Sequence, residues 1–373
     1  MDAPAVSGRG RWPSTALALL LLVALCGAAP APPFQKALPG YRFQFPRDHA
    51  AHDAFRTEWW YYTGHLRTAR GEAFGFQVTF FRVGIAEARE SVSRWAARNL
   101  YLAHLALSDP ARRRHRLTER VGREALGQAG ALEDRYRVWI GEWEAAAEGE
   151  VHRVRAAAEA FGLDLTLTPE KPPVVHGQGG ISRKGAGEGH ASHYYSLTRL
   201  RVTGTLTLEG RRAPVTGLAW MDHEFGSTEL APEQVGWDWF SVQLEDGTDL
   251  MLYLIRHRDG RPDPFSSGTL VASDGTARSL ALAEFAVEPL GRWQSPRSGG
   301  TYPMGWRIRV PGAALALTLT PLFPDQELDT ARSTQVIYWE GAVRVAGERA
   351  GQPVQGQGYV EMTGYAAPFR KKI

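Results

Sequence analysis

The chain has 373 residues, of which 43% are hydrophobic, and its 43 Lys and Arg against 40 Asp and Glu leave a net charge of +3. That is apolar material for one large or two ordinary domains, which excludes a small disulfide scaffold and wholesale disorder. So small a net charge supplies no field for nucleic acid, and no nucleic-acid partner is expected.

The first element is a targeting segment. Arg9 and Arg11 precede the apolar run Ala16 to Cys26, too short to span a bilayer, and Gly27, Ala28 and Ala29 follow. Residues 1–29 read as a secretory signal peptide, so the protein is expected to be exported, periplasmic or secreted. Cys26 is the one cysteine. Its removal with the signal leaves no thiol or disulfide and excludes a redox or thiol-nucleophile mechanism. Val23-Ala24-Leu25-Cys26 also loosely fits a lipoprotein processing site, which would anchor the protein to a membrane through a lipidated Cys26.

Twelve Trp, 12 Tyr, 15 Phe and 40 Gly favour strands, tight turns and an aromatic-lined interior. Glu58-Trp59-Trp60-Tyr61-Tyr62 leads through a turn at Gly71 into Phe74, Phe76, Val78 and Phe80, which alternate with polar or small residues as a half-buried strand does. Helices are expected over 86–100 and 119–127. Tyr101 to Asp109 reads as a buried strand carrying His104, either packed or lining a pocket. Residues 170–192 are Gly-rich without phosphate-loop spacing and read as a long loop over a site or at a rim. Alternation returns at Leu200 to Leu208, Trp306 to Val310, Leu315 to Leu319 and Ile337 to Val343. Short strands split by Gly, Asp and Pro turns point to antiparallel barrels or sandwiches rather than βαβ units. Asp238-Trp239-Phe240 echoes the Glu58 segment, so a boundary near residue 230 gives domains at 45–228 and 234–369.

Trp220-Met221-Asp222-His223-Glu224-Phe225-Gly226, closely followed by Gly236-Trp237-Asp238-Trp239, is the densest polar constellation. Two carboxylates, an imidazole and nearby indoles can supply an acid, a base and a wall for a cationic or apolar group. On a strand, Asp222 and Glu224 share a face that His223 lacks, unless the strand bends at Gly226. The same residues could instead link two domains structurally. His190-x-x-His193 is half a metal site with no further ligands placed, so no metal or other cofactor is expected. Glu340 after Trp339 and Glu361 after Tyr359 repeat the pairing of a carboxylate with an aromatic residue. No Gly-x-Ser-x-Gly elbow occurs.

Several of these segments together resemble the AttH-like, lipocalin-like proteins, a family that includes the carotenoid 1,2-hydratases. They are Thr57 to Leu66, Ala103 to Asp109, Tyr194-Tyr195-Ser196, Trp220 to Glu224, Gly236 to Trp239 and Gly358 to Tyr365. The resemblance runs from about Phe45 to Ala367 and implies an all-β fold of two tandem lipocalin-like barrels. In the hydratase branch it implies protonation of an isoprenoid double bond followed by addition of water. His223 and Phe225 occupy the first catalytic pair, with Phe in place of Trp; Tyr253 stands in the following strand, with Ile255 where an Asp is expected. Asp222 or Glu224 would then have to supply the proton, with His223 orienting it or acting as base.

The functional expectation is therefore a protein that binds or acts on an apolar, lipid- or isoprenoid-like small molecule, as a hydro-lyase or a hydrolase. The alternative is a non-enzymatic periplasmic carrier or sensor. Asp222, His223 and Glu224 are the expected catalytic residues. Glu58, Trp59, Trp60, His104, Tyr194, Trp237, Trp239 and Tyr253 are the expected ligand wall.

Overall fold

Period-two alternation builds strands, and strands carry the chain from Thr57 to Met362. The fold is seen in a computed structural model that describes residues 34–89, 91, 93, 95–227 and 230–369; the expected signal peptide and Cys26 lie outside these residues. A first meander comprises β1 (Thr57–Thr68), β2 (Ala73–Gly84), β3 (Asn99–Asp109) and β4 (Arg114–Arg123). A second comprises β5 (Ala129–Ala131), β6 (Arg137–Ile140), β7 (Trp143–Glu148), β8 (Val151–Ala157) and β9 (Phe161–Pro169). After the short β10 (Val174–Val175) and β11 (Ser182–Arg183), the long β12 (Ala191–Leu208) and β13 (Arg211–Gly226) join the two meanders, because β13 pairs with β1 and β12 with β9. The free edges meet side by side: a Cβ on Gly122 of β4 would lie 2.9 Å from that of Ala129 in β5, and Arg120 donates to the Ile140 carbonyl at 3.3 Å. The result is a nearly closed barrel whose interior holds Trp60, Tyr62, Phe76, Val78, Phe80 and Leu105.

The second sheet begins with β14 (Gln234–Leu244), β15 (Asp249–His257), β16 (Ser267–Val271), β17 (Ala277–Ala281) and β18 (Ala286–Pro289). After a separate hairpin, β19 (Arg292–Gln294) and β20 (Thr301–Pro303), it continues with β21 (Trp306–Val310), β22 (Leu315–Pro321), β23 (Glu327–Asp329), β24 (Ile337–Arg349) and β25 (Gln352–Met362). Its spatial order is β17-β16-β15-β14-β25-β24-β22-β21-β18, curled around Phe240, Leu252, Trp306 and Trp339. The all-β, lipocalin-like expectation holds. Among the described residues neither expected helix forms. Ala86–Ala88 and Ala125–Gly127 are single 3-10 turns, and Glu119 lies within β4, where the ladder to β3 provides the backbone partners a helix would otherwise supply.

What the strand pattern alone leaves open is the use of the first barrel's outer face. On β1, β2 and β13 that face is buried too, against β14, β24 and β25, with Tyr61, Trp220, Trp239, Tyr253, Ala342 and Tyr359 in one cluster. Gly75 permits the contact: a Cβ there would lie 2.6 Å from that of Ala342. The fully buried Asp249 clamps the sheets, accepting from Lys171 at 2.6 Å, Thr198 at 2.8 Å and Arg199 at 2.6 Å. Gln243 donates to the carbonyls of Thr198 and Ala219 at 2.7 and 2.8 Å. The Gly-rich stretch 170–192 straps the first barrel to the second sheet: Tyr253 donates to the Arg183 carbonyl at 3.1 Å, and the Arg183 guanidinium lies 4.5 Å over the Phe265 ring.

Candidate active site between the two barrels

Side chains alternate along β13, so Asp222 and Glu224 leave one face and His223 the other, with no bend at Gly226. Across the ladder Asp222 faces Tyr61 and Ser196, and Glu224 faces Trp59 and Tyr194. These residues form one wall of a cavity of about 320 Å³, and the second sheet closes it with Trp237, Trp239, Tyr253, Ile255, Glu340 and Glu361. The cavity therefore lies between the sheets rather than inside either one. It gathers Trp59, His104, Tyr194, Asp222, Glu224, Trp237, Trp239 and Tyr253, all named from the sequence. Trp60 and His223 point away, into the first barrel, where the Trp60 indole donates to the His49 carbonyl at 3.0 Å and stacks 4.9 Å from His223. Glu58 borders the cavity, but its oxygens are engaged on the barrel side.

The cavity carboxyls differ in their partners. Asp222 accepts from Ser196, from the Trp220 indole at 2.6 Å and from Tyr194 at 2.9 Å, yet burial pushes it up to about 7. Burial likewise pushes Glu361 up to about 7; the Trp237 indole donates to it at 3.0 Å. Glu340 sits directly across the ladder from Glu361. Burial, reinforced by the Glu361 charge, holds Glu340 well above the usual carboxyl range. Its Oε1 accepts from Tyr61 at 2.6 Å, and its Oε2 has no partner. Glu224 is different: it accepts from Ser192 and faces Lys184 at 3.2 Å. Burial opposes the Lys184 charge, but Glu224 and its neighbours outweigh it and raise the Lys184 pKa. His104 bonds Tyr338 at 2.9 Å and Ser333 at 2.8 Å, and burial drives it down to about 3, so it is a neutral bridge between the sheets.

On the far side of β1 and β13 lies a second polar cluster. Glu58 Oε1 lies 2.8 Å from both His52 Nδ1 and His223 Nε2, and Oε2 accepts from Arg82 at 3.0 Å. Burial works against the Glu58 charge, but Arg82 and the two histidines hold its pKa well below the ordinary value. His52, Glu58 and His223 offer three atoms that could hold a metal. All three are already satisfied, however, and the Arg82 guanidinium supplies the positive charge an ion would bring. His190 and His193 gather no further ligands among the described residues; His193 Nδ1 bonds the Gly180 carbonyl at 2.8 Å.

Sequence reasoning did not single out Tyr61 or Lys184 as site residues, and it noticed Glu340 and Glu361 only as carboxylates beside aromatics. Their recurrence after Trp339 and Tyr359 was the usable signal. His176 gave no signal: it reaches Asp222 indirectly, bonding Ser196 at 2.6 Å and Thr269 at 2.8 Å.

Comparison with known proteins fits this architecture. A candidate AttH from Nitrosomonas europaea is 38% identical, with a TM-score of 0.81 over 89% of this chain and 100% of that one. Kievitone hydratase from Nectria haematococca has a TM-score of 0.69 at 16% identity over 90% of this chain and 98% of its own, and CghA in complex with Sch210972 has 0.53 at 14% over 88% and 94%. At those identities the likeness is one of fold. No curated protein matches the sequence. Residues 36–365 match the AttH-like family over nearly the whole described chain, and the protein belongs to that family.

Proposed function

We propose that this protein encloses an apolar small molecule between its two barrels and acts on it by general-acid chemistry, adding water across a double bond. Glu340 carries the reading: it is a fully buried carboxyl, its pKa raised by that burial, with an unpartnered oxygen, in a cavity walled by indoles and phenols. An acid and a base held at separated pKa values are what such a reaction needs. Glu340, whose pKa burial raises well above the ordinary carboxyl value, donates a proton to one carbon of the double bond. Water adds to the resulting cation and gives up a proton to Asp222, whose value of about 7 leaves it partly ionised at neutral pH. Return of that proton to Glu340 closes the cycle with one water consumed. Indoles and carboxylates around the cavity steady the positive charge in between.

We assign the roles differently from the sequence expectation. His223 faces the other way and orients Glu58 rather than a cavity acid, and Glu224 is neutralised by Lys184. The hydratase name of a protein with the same fold supports the reaction class alone. A cavity of about 320 Å³ suits a compact ligand better than a long polyene, which ranks a short isoprenoid or lipid-like substrate above a carotenoid. The N-terminal segment supports export, with or without a lipid on Cys26.

Native mass spectrometry and solvent extraction of the purified protein identify the ligand, and incubation in water labelled with heavy oxygen then reads turnover. Incorporation of label by the wild type, lost in a Glu340→Gln protein that still binds ligand, is the expected result. Ligand recovered unlabelled from the wild type would make the protein a carrier.

A further inference from the structure

The cavity holds more acid than an apolar ligand requires. Asp222, Glu340 and Glu361 all line it, and among the described residues none of the three makes an ion pair. The cations at its wall are already engaged, Lys184 with Glu224 at 3.2 Å and Arg82 with Glu58 at 3.0 Å. The Glu340 Oε2, fully buried, has no partner. A bare polar atom in an apolar enclosure costs free energy unless something in the functional state completes it.

The wall around these carboxyls is aromatic. Trp59, Tyr61, Trp237, Trp239 and Tyr253 surround the carboxyls, and aromatic faces attract cations most strongly when water is excluded. The protein already shows this with its own side chain: the Lys184 ammonium lies 4.2 Å from the Tyr253 ring centre and 5.1 Å from that of Tyr194, beside a carboxylate.

We propose that the cavity selects apolar molecules bearing a protonated amine over their neutral isosteres, the ammonium being received by Glu340 and its cross-strand neighbour Glu361 against the aromatic wall. This rests on the reading that the cavity takes a compact apolar ligand, and it adds the charge that ligand carries or acquires. No covalent bond changes. The alkylammonium enters with its charge, and the Glu340 carboxyl becomes a carboxylate by releasing its proton to solvent, so binding expels up to one proton and a ligand so held occupies the site without being hydrated. The titratable groups facing Glu340 are Tyr61, Tyr338, Tyr359, Glu361 and Asp222, with His104, Lys184 and Glu224 elsewhere on the cavity wall. Tyr61 donates to Glu340 in either state.

Adamantylamine and adamantanol, rigid isosteres that differ in charge, test this by isothermal titration of the full-length protein at neutral pH in phosphate and in Tris, which report proton release as a difference in heat. The amine is expected to bind about tenfold more tightly than the alcohol, with proton release, in line with a desolvated cation–aromatic contact. Glu340→Gln and Glu361→Gln should each narrow the preference for the amine and reduce the buffer dependence, so either variant suffices should the other fold poorly, and a preference unchanged in both overturns the inference. Equal or tighter binding of the alcohol by the wild type overturns this inference while leaving the cavity's apolar role intact. Binding of neither compound overturns both.

Discussion

Replacing Asp222 by Asn should leave the protein more stable at alkaline pH while removing its proton acceptor. The amide keeps one oxygen for Ser196 and the Trp220 indole and places its nitrogen where the other oxygen meets Tyr194, so it has the shape of a protonated carboxyl. An Asp titrates near 4 in an unfolded chain, about 3.9, and Asp222 at about 7 in the fold. Between those values the folded protein keeps a proton that the unfolded chain gives up. Wild-type stability therefore falls as pH rises from about 4 to about 7, by about 4 kcal/mol in all, and stays lost above that. Asn has no proton to lose. Near pH 4 the variant should be equal to wild type or about 1 kcal/mol weaker, through imperfect hydrogen bonds. Near pH 8 it should be more stable by about 3 kcal/mol, the difference of these two terms. Urea unfolding followed by Trp fluorescence at the two pH values measures this, and because every other titrating group is shared, only the difference between the proteins matters. A variant destabilised equally at both pH values would show Asp222 to be an ordinary ionised acceptor and remove it from the proposed acid–base pair.

The opposite pH dependence is expected at Glu58, whose pKa is held below the ordinary value, so that its stabilisation is present at neutral pH and lost in acid. Glu58→Gln leaves the buried Arg82 without its counter-charge; unfolding at neutral pH should show a loss of about 3–5 kcal/mol that shrinks below about pH 4. Asp249→Ala strands Lys171 and Arg199 between the sheets and should likewise cost about 3–5 kcal/mol. Calorimetry is expected to show one unfolding transition for the wild type and two for the variant, and a variant that unfolds as the wild type does would deny the clamp its role. Export is checked by fractionating cells that express the chain: immunoblotting should find it outside the cytoplasm, and palmitate labelling abolished by Cys26→Ala would show the lipid anchor.

The strands and the turns follow largely from the amino-acid order, because period-two alternation is a relation between near neighbours and survives in any tertiary context that buries one face. The same locality made Asp222 and Glu224 readable as one face and His223 as the other. It failed at 86–100 and 119–127, where weak patterns yielded to sheet pairing and to single turns. Only the tertiary structure decided that the outer face of the first barrel is also buried, and that the cavity lies between sheets rather than within one. The different environments of the carboxyls were decided there too. Glu224 and Asp222 are near neighbours of like chemistry, yet Lys184 pairs with the first, and burial raises the pKa of the second to about 7. Glu340 takes its hydrogen bond from Tyr61, 279 positions away, and no local pattern records a partner at that distance. Desolvation and ion pairing depend on what the fold brings within a few ångströms, and for this protein those neighbours come from opposite halves of the chain.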